Sequence, residues 1–145
     1  MEIVIYGAGV LAQLTKESVI TSGSNVAGMI DPLGNTEYKN LKEFDKDCDI
    51  IIDFSHFSSL NDILEYAVKN KKPVIIATTG HSKEQTALIE EAAKHIAVLK
   101  ATNTSFGVTM VNEILSYAAK LLKGFDIELI EKHHNRQIDS TSGTA

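Results

Sequence analysis

Two stretches of this 145-residue sequence carry residue types whose spacing could do chemistry. Near the start, "GAGVLA" (7–12) follows the apolar run "EIVIY" (2–6), and Gly7, Gly9 and Ala12 stand in the G-x-G-x-x-G/A spacing. Gly7 allows a tight turn, Gly9 lets backbone approach a pyrophosphate, and the small Ala12 lets a helix pack closely on a strand with its N-terminus toward the anion. Asp31, at the end of the next apolar run, is where a carboxylate accepts hydrogen bonds from adenosine ribose hydroxyls. No arginine follows Asp31 closely, and a 2′-phosphate beside that carboxylate would be repelled, so NADH is expected in preference to NADPH.

The other stretch is the terminal "EKHHNRQIDSTSGTA" (131–145), with two adjacent histidines, the only arginine of the chain and a run of small hydroxyl residues. His133 and His134 point to opposite sides of an extended chain, which is poor geometry for clamping one metal. A histidine just beyond a strand, near a nicotinamide, is instead a candidate general acid, because its unperturbed pKa near ~6.5 permits proton donation at neutral pH. Ser142, Gly143 and Thr144 offer hydroxyl and backbone N–H groups that hold a small carboxylate. The competing reading of the tail is a frayed terminus.

Something must position these residues. The apolar runs "EIVIY" (2–6), "NVAGMI" (25–30), "DIIIDF" (49–54), "PVIIA" (73–77), "IAVLK" (96–100) and "FDIELIE" (125–131) read as six strands. Helices are expected over 10–22, 58–70 (Leu60, Ile63, Leu64, Ala67 and Val68 on one face), from a Ser82/Gln85 capping box to about His95, and over 108–122 (Val111, Ile114, Leu115, Ala118 and Leu122 inward), with Gly124 as a C-terminal cap. Strands that barely alternate, separated by helix-length crossovers, predict an α/β domain with a doubly wound, Rossmann-like parallel sheet. Ligands of such sheets bind beyond the carboxyl ends of the strands, where this chain has "GAGVLA", "DPLGN", "FSHF", "TTGHS", "ATNTSFG" and "KHHNRQ". Thr78, Thr79 and Gly80, with Asn103, Thr104 and Ser105, read equally as site residues or as ordinary turn residues. His56, His81 and His95 lie in or beside loops and helix ends, where solvent exposure explains them.

Composition agrees with a globular domain: 43% hydrophobic and 23% charged residues, net charge −5. Scattered lysines leave no electrostatic footprint for nucleic acid or an anionic membrane, so a small molecule is the expected partner. The apolar runs are too short to cross a bilayer and the N-terminus lacks the marks of a signal peptide, so a cytoplasmic location is expected. The single Cys48 is expected to be a buried thiol.

Taken together, "GAGVLA", "DFS" (53–55), "ATTG" (77–80), "ATNTSFGV" (101–108) and the terminal stretch resemble the 4-hydroxy-tetrahydrodipicolinate reductase (dihydrodipicolinate reductase) family. The terminal stretch is similar to that family's signature E-x-H-H-x-x-K-x-D-x-x-S-G-T-A. The resemblance implies an oxidoreductase of lysine and diaminopimelate biosynthesis that uses NADH or NADPH to reduce a cyclic dicarboxylic acid. It implies that Gly7, Ala8, Gly9, Val10, Leu11, Ala12 and Asp31 hold the pyrophosphate and ribose. Ala77, Thr78, Thr79, Ala101, Thr102, Asn103 and Thr104 would border the nicotinamide. His133 would donate the proton, and His134, Gly143 and Thr144 would bind substrate carboxylates. Gln137 stands where the family has a catalytic lysine, and Thr102 and Phe57 replace family prolines. The implied organisation is a dinucleotide-binding domain over 1–130 and the beginning of a substrate domain, truncated at its start, over 131–145. A fragment or shortened form of a homo-oligomeric enzyme is expected; a non-catalytic NAD(H)-binding module, or a reductase of another small cyclic acid, is the alternative.

Overall fold

A computed structural model of the chain describes residues 1–101 and 103–130. It forms two compact units that divide between Ala101 and Thr102. The first contains β1 (Glu2–Tyr6), α1 (Val10–Thr21), β2 (Asn25–Ile30), β3 (Ile50–Asp53), α2 (Leu60–Asn70), β4 (Val74–Ile76), α3 (Lys83–Ala92) and β5 (Val98–Lys100). The five strands are parallel, in the order β2-β1-β3-β4-β5. This is a doubly wound, Rossmann-like sheet, and the strand order reverses between β1 and β3.

Period-two alternation decides which helix each strand residue meets. Ile3 and Ile5 of β1 turn to one face, where they pack with Met29 and with Ala12 and Val19 of α1. Val4 and Tyr6 turn to the other, joining Ile51, Leu60, Ile63, Leu64, Ala67, Ile89 and Ala92, so that α2 and α3 cover that side. Leu60, Ile63, Leu64 and Ala67, at i, i+3, i+4 and i+7, are all buried, as the helical stripe predicts. Lys71 ends α2 in the left-handed conformation with φ of 54°, just ahead of Pro73. The expected capping box opens α3: the Gln85 backbone N–H donates to the Ser82 hydroxyl and the Ser82 N–H to the Gln85 side chain. Cys48 is buried, and burial raises its thiol pKa, which keeps it protonated and inert.

The long connection from β2 to β3 has no strand of its own and lies along the outer edge of β2. The Tyr38 N–H donates to Met29 O at 3.3 Å, and the Asp31 N–H donates to Tyr38 O at 2.9 Å. Lys46 Nζ donates to Ala27 O at 3.4 Å and pairs with Glu37 at 3.3 Å. The Tyr38 and Phe44 rings meet edge-on, with centroids 5.4 Å apart. Both press on Gly28, where a Cβ would lie 3.0 Å from ring carbons of each, so the glycine clears the space they occupy.

Two expectations about the second unit are corrected. Residues 126–130 form no strand, although Phe125, Ile127 and Leu129 alternate with Asp126 and Glu128 as in a half-buried strand. Alternation prescribes a face, but a strand also needs a neighbour for its N–H and C=O groups, and none pairs with this segment among the described residues. The last helix, α4 (Phe106–Leu121), starts at a Ser105 cap as a good helix should, yet it buries none of its residues. Val111, Ile114, Leu115 and Leu122, expected inward, are exposed, Ile114 to 67%.

Candidate functional site

The carboxyl edge of the first unit is built around the turn after β1. Gly7 has φ of +127°, and a Cβ there would fall 2.5 Å from the Phe54 carbonyl oxygen, so only glycine fits. Its N–H donates to Ile30 O at 2.8 Å, tying the turn to the end of β2. Gly9 differs: its φ is −70°, an ordinary value, and nothing lies within 4 Å of where its Cβ would be. It is the N-cap of α1 with no side-chain acceptor, so the N–H groups of the first turn keep no partner from a capping side chain. Space on the Gly9 side and uncapped donors with a positive helix end are what a pyrophosphate requires. Ala12 is buried against the sheet, in the role expected of it, while Val10 and Leu11 are exposed.

This turn floors a cleft of about 550 Å³. Asp31, Pro32, Leu33 and Asn35 flank it from the β2 side, and Phe54, Ser55, His56, Ser58 and Ser59 from the β3 side. Asp31 is buried and its carboxylate is oriented by its own loop: it accepts from Asn35 Nδ2 at 2.6 Å, Asn35 N at 3.3 Å and Leu33 N at 3.4 Å. Carboxylate oxygens offer about four acceptor sites between them, so capacity remains for hydroxyl donors. A hollow of similar size, about 610 Å³, lies between α1 and β2 near Lys16 and Asn25. The first cleft is the candidate site, because it holds the glycine turn and the reversal of strand order.

A second polar cluster lies at the ends of β3 and β4. Asp53 is 1% exposed, and its Oδ1 accepts from Ser55 N at 2.9 Å and Ser55 Oγ at 2.5 Å. Burial pushes its carboxyl above the usual carboxylate range, against the lowering effect of the Ser55 bonds. Thr78 Oγ1 is close enough to help hold the Asp53 charge but does not reach hydrogen-bond geometry, and it is buried without a partner, as is His81 Nε2. Burial, then the Lys100 charge, lowers the His81 pKa, with Asp53 opposing. His81 is thus only partly exposed, unlike the surface residue expected, whereas His95 is exposed. The Thr78 hydroxyl is buried toward Asp53, while the neighbouring Thr79 is exposed.

Of the other expected site residues, Ala101 extends the β5 edge by donating to Ile76 O at 2.9 Å. Asn103 and Thr104 belong to the second unit, where Asn103 Oδ1 accepts from Ser105 N at 2.7 Å. Thr102, His133, His134, Gln137, Ser142, Gly143 and Thr144 lie outside the described residues. Pro32, Leu33 and Asn35, with Phe54, Ser55, His56, Ser58 and Ser59, line the cleft although the sequence gives them no role beyond a place at the strand ends in or just after "DPLGN" and "FSHF". Their signal was position alone: they follow β2 and β3, the strands on either side of β1, and strand order is not written in one sequence.

Known proteins place this architecture. The family model described as "Dihydrodipicolinate reductase, N-terminus" matches residues 2–104, and "Dihydrodipicolinate reductase, C-terminus" matches residues 107–145. A protein of Brachyspira hyodysenteriae named 4-hydroxy-tetrahydrodipicolinate reductase is 40% identical over 146 residues, covering 100% of this chain and 59% of the relative. One of the same name from Clostridium tetani is 45% identical over 109 residues, covering 74% of this chain and 43% of the relative. The chain therefore spans about half the length of the curated relatives it matches. A conserved hypothetical protein of Pyrococcus furiosus, 18% identical, superposes with a TM-score of 0.52 over 69% of this chain and 92% of that one, a likeness of fold. With its two family models matching nearly end to end, the chain belongs to the dihydrodipicolinate reductase family.

Proposed function

We propose that this chain carries the pyridine-nucleotide site of a 4-hydroxy-tetrahydrodipicolinate reductase acting in lysine and diaminopimelate biosynthesis in the cytoplasm, and that the complete enzyme is a homo-oligomer. The observation that carries the reading is the Gly9 cradle: open space over an uncapped helix start, in a cleft that also holds an oriented, buried Asp31. In this reading the first-turn N–H groups of α1 bind the diphosphate and Asp31 accepts from the adenosine ribose hydroxyls. Asp31 with no arginine beside it favours NADH over NADPH. Bound dihydronicotinamide supplies the hydride. Ala77, Thr78, Thr79, Ala101, Thr102, Asn103 and Thr104 border it.

From the terminal signature we assign His133 as proton donor, with His134, Ser142, Gly143 and Thr144 on the substrate carboxylates. Gln137 keeps a hydrogen-bond donor where the family has lysine but brings neither charge nor titratable proton, and this substitution favours a second reading, an NAD(H)-binding module without turnover. Fluorescence titration of the chain with NADH and NADPH tests the proposal. NADH should bind at least several-fold more tightly, and Gly9→Val should abolish binding of both. Failure of the unaltered chain to bind either nucleotide would overturn the function. Equal or tighter NADPH binding would overturn the preference.

A further inference from the structure

We propose that His56 is a base-stacking residue, a flat wall against which the adenine of the dinucleotide lies. This rests on the dinucleotide reading above and deepens it. His56 lines the same cleft as Gly7, Gly9 and Asp31. Its side chain is on the surface, where an imidazole normally samples several rotamers, yet it is held at two points. Nδ1 lies 2.9 Å from Ser58 Oγ and accepts from the Ser58 N–H at 3.3 Å, capping the short 3₁₀ turn Phe57–Ser59. Accepting at Nδ1 puts the ring proton on Nε2. One ring face rests on Phe57, with centroids 3.9 Å apart and planes tilted by 38°, and no second aromatic ring packs on it among the described residues.

Phe57 is itself anchored. Its carbonyl accepts from Gln85 Nε2 at 2.8 Å, and its ring sits so close to Gly80 that a Cβ there would approach to 3.3 Å. The capping box of α3 thus reaches across to brace the residue that backs the imidazole. Fixing an exposed ring in this way costs side-chain entropy and buries little, which makes sense if the rigid slab meets a planar ligand. Topology supplies the other wall: Pro32 and Leu33 flank the cleft from the β2 side, and Leu33 is 86% exposed, an apolar surface with no partner of its own. A purine attached to a ribose on Asp31 falls between those walls.

The test is calorimetric titration of the full chain with NADH, ADP-ribose and reduced nicotinamide mononucleotide, comparing His56→Asn with His56→Phe. Asparagine keeps a cap acceptor for Ser58 and removes the ring; phenylalanine keeps a stacking ring and removes the cap. His56→Asn should weaken NADH and ADP-ribose alike by roughly 5- to 100-fold, with His56→Phe within about threefold of the parent. The mononucleotide, which lacks adenine, should bind both variants as it binds the parent. Unchanged ADP-ribose affinity in His56→Asn, or equal losses in both variants, overturns the stacking role alone. Failure of the parent to bind either adenine-containing ligand overturns the dinucleotide reading and this one with it.

Discussion

The first unit and α4 use similar residues to opposite ends. Ile63 in α2 and Ile114 in α4 are the same side chain inside a helix, but Ile63 is 0% exposed and Ile114 is 67% exposed. The difference lies in what surrounds them. α2 lies on a sheet whose pleat presents Val4, Tyr6 and Ile51 to it, whereas α4 has a good cap and a strong apolar pattern but buries nothing. Local sequence is enough to write a helix; only a partner surface turns that helix into stability.

The sharpest way to break this contrast is to truncate both isoleucines. Ile63→Ala should cost about 2–5 kcal/mol in urea unfolding, and Ile114→Ala less than about 0.5 kcal/mol. Equal costs would mean that α4 is packed in solution, and the contrast would vanish. A smaller but cleaner pair separates scaffold from site within the first unit. Gly7→Ala forces a Cβ toward the Phe54 carbonyl at a positive φ and should cost about 2–4 kcal/mol. Gly9→Ala should cost under about 1 kcal/mol as a poorer cap while weakening NADH binding. A stable Gly7→Ala protein would sink the idea that this turn is sterically obligate.

The smallest effect concerns Asp53. Its folded-state pKa is raised above its ordinary value of 3.8, so the folded protein holds this proton to higher pH than the unfolded chain does. Its favourable contribution is present below that ordinary value and is lost as pH rises through the folded value. Asparagine can still accept both Ser55 bonds but does not ionise. The melting temperature of Asp53→Asn relative to the parent should therefore climb as pH rises above about 4. A difference that stays flat with pH would show that Asp53 does not titrate as its burial requires.

Legibility in the sequence followed the same division. β1 and β2 stand where the apolar runs stop at Gly7 and Asp31, and the Ser82/Gln85 box opens α3, because each of these is decided by a few adjacent residues. The glycine spacing pointed to a turn, but the distinct tasks of Gly7 and Gly9 emerge only from their neighbours in space. The strand expected over 125–131 rests on alternation, which prescribes a face without supplying a partner. His56 reads as a surface histidine because nothing in "FSHF" tells that β3 lies beside β1, or that Gln85, far along the chain, braces Phe57.

The connection that runs along β2 has a consequence for self-association. An edge strand exposes a row of N–H and C=O groups on which a second molecule can build sheet, and it is the usual starting point of ordered aggregation. On β2 that row is occupied from within: Tyr38 takes Met29 O, and the Lys46 ammonium sits on Ala27 O. A lysine at a sheet edge deters strand addition, since an incoming chain would have to strip its ammonium of water. Among the described residues the opposite edge, β5, is three residues long, too short to template much growth. Seated over Gly28 by the Tyr38 and Phe44 rings, the connection keeps the longer β2 edge occupied from within.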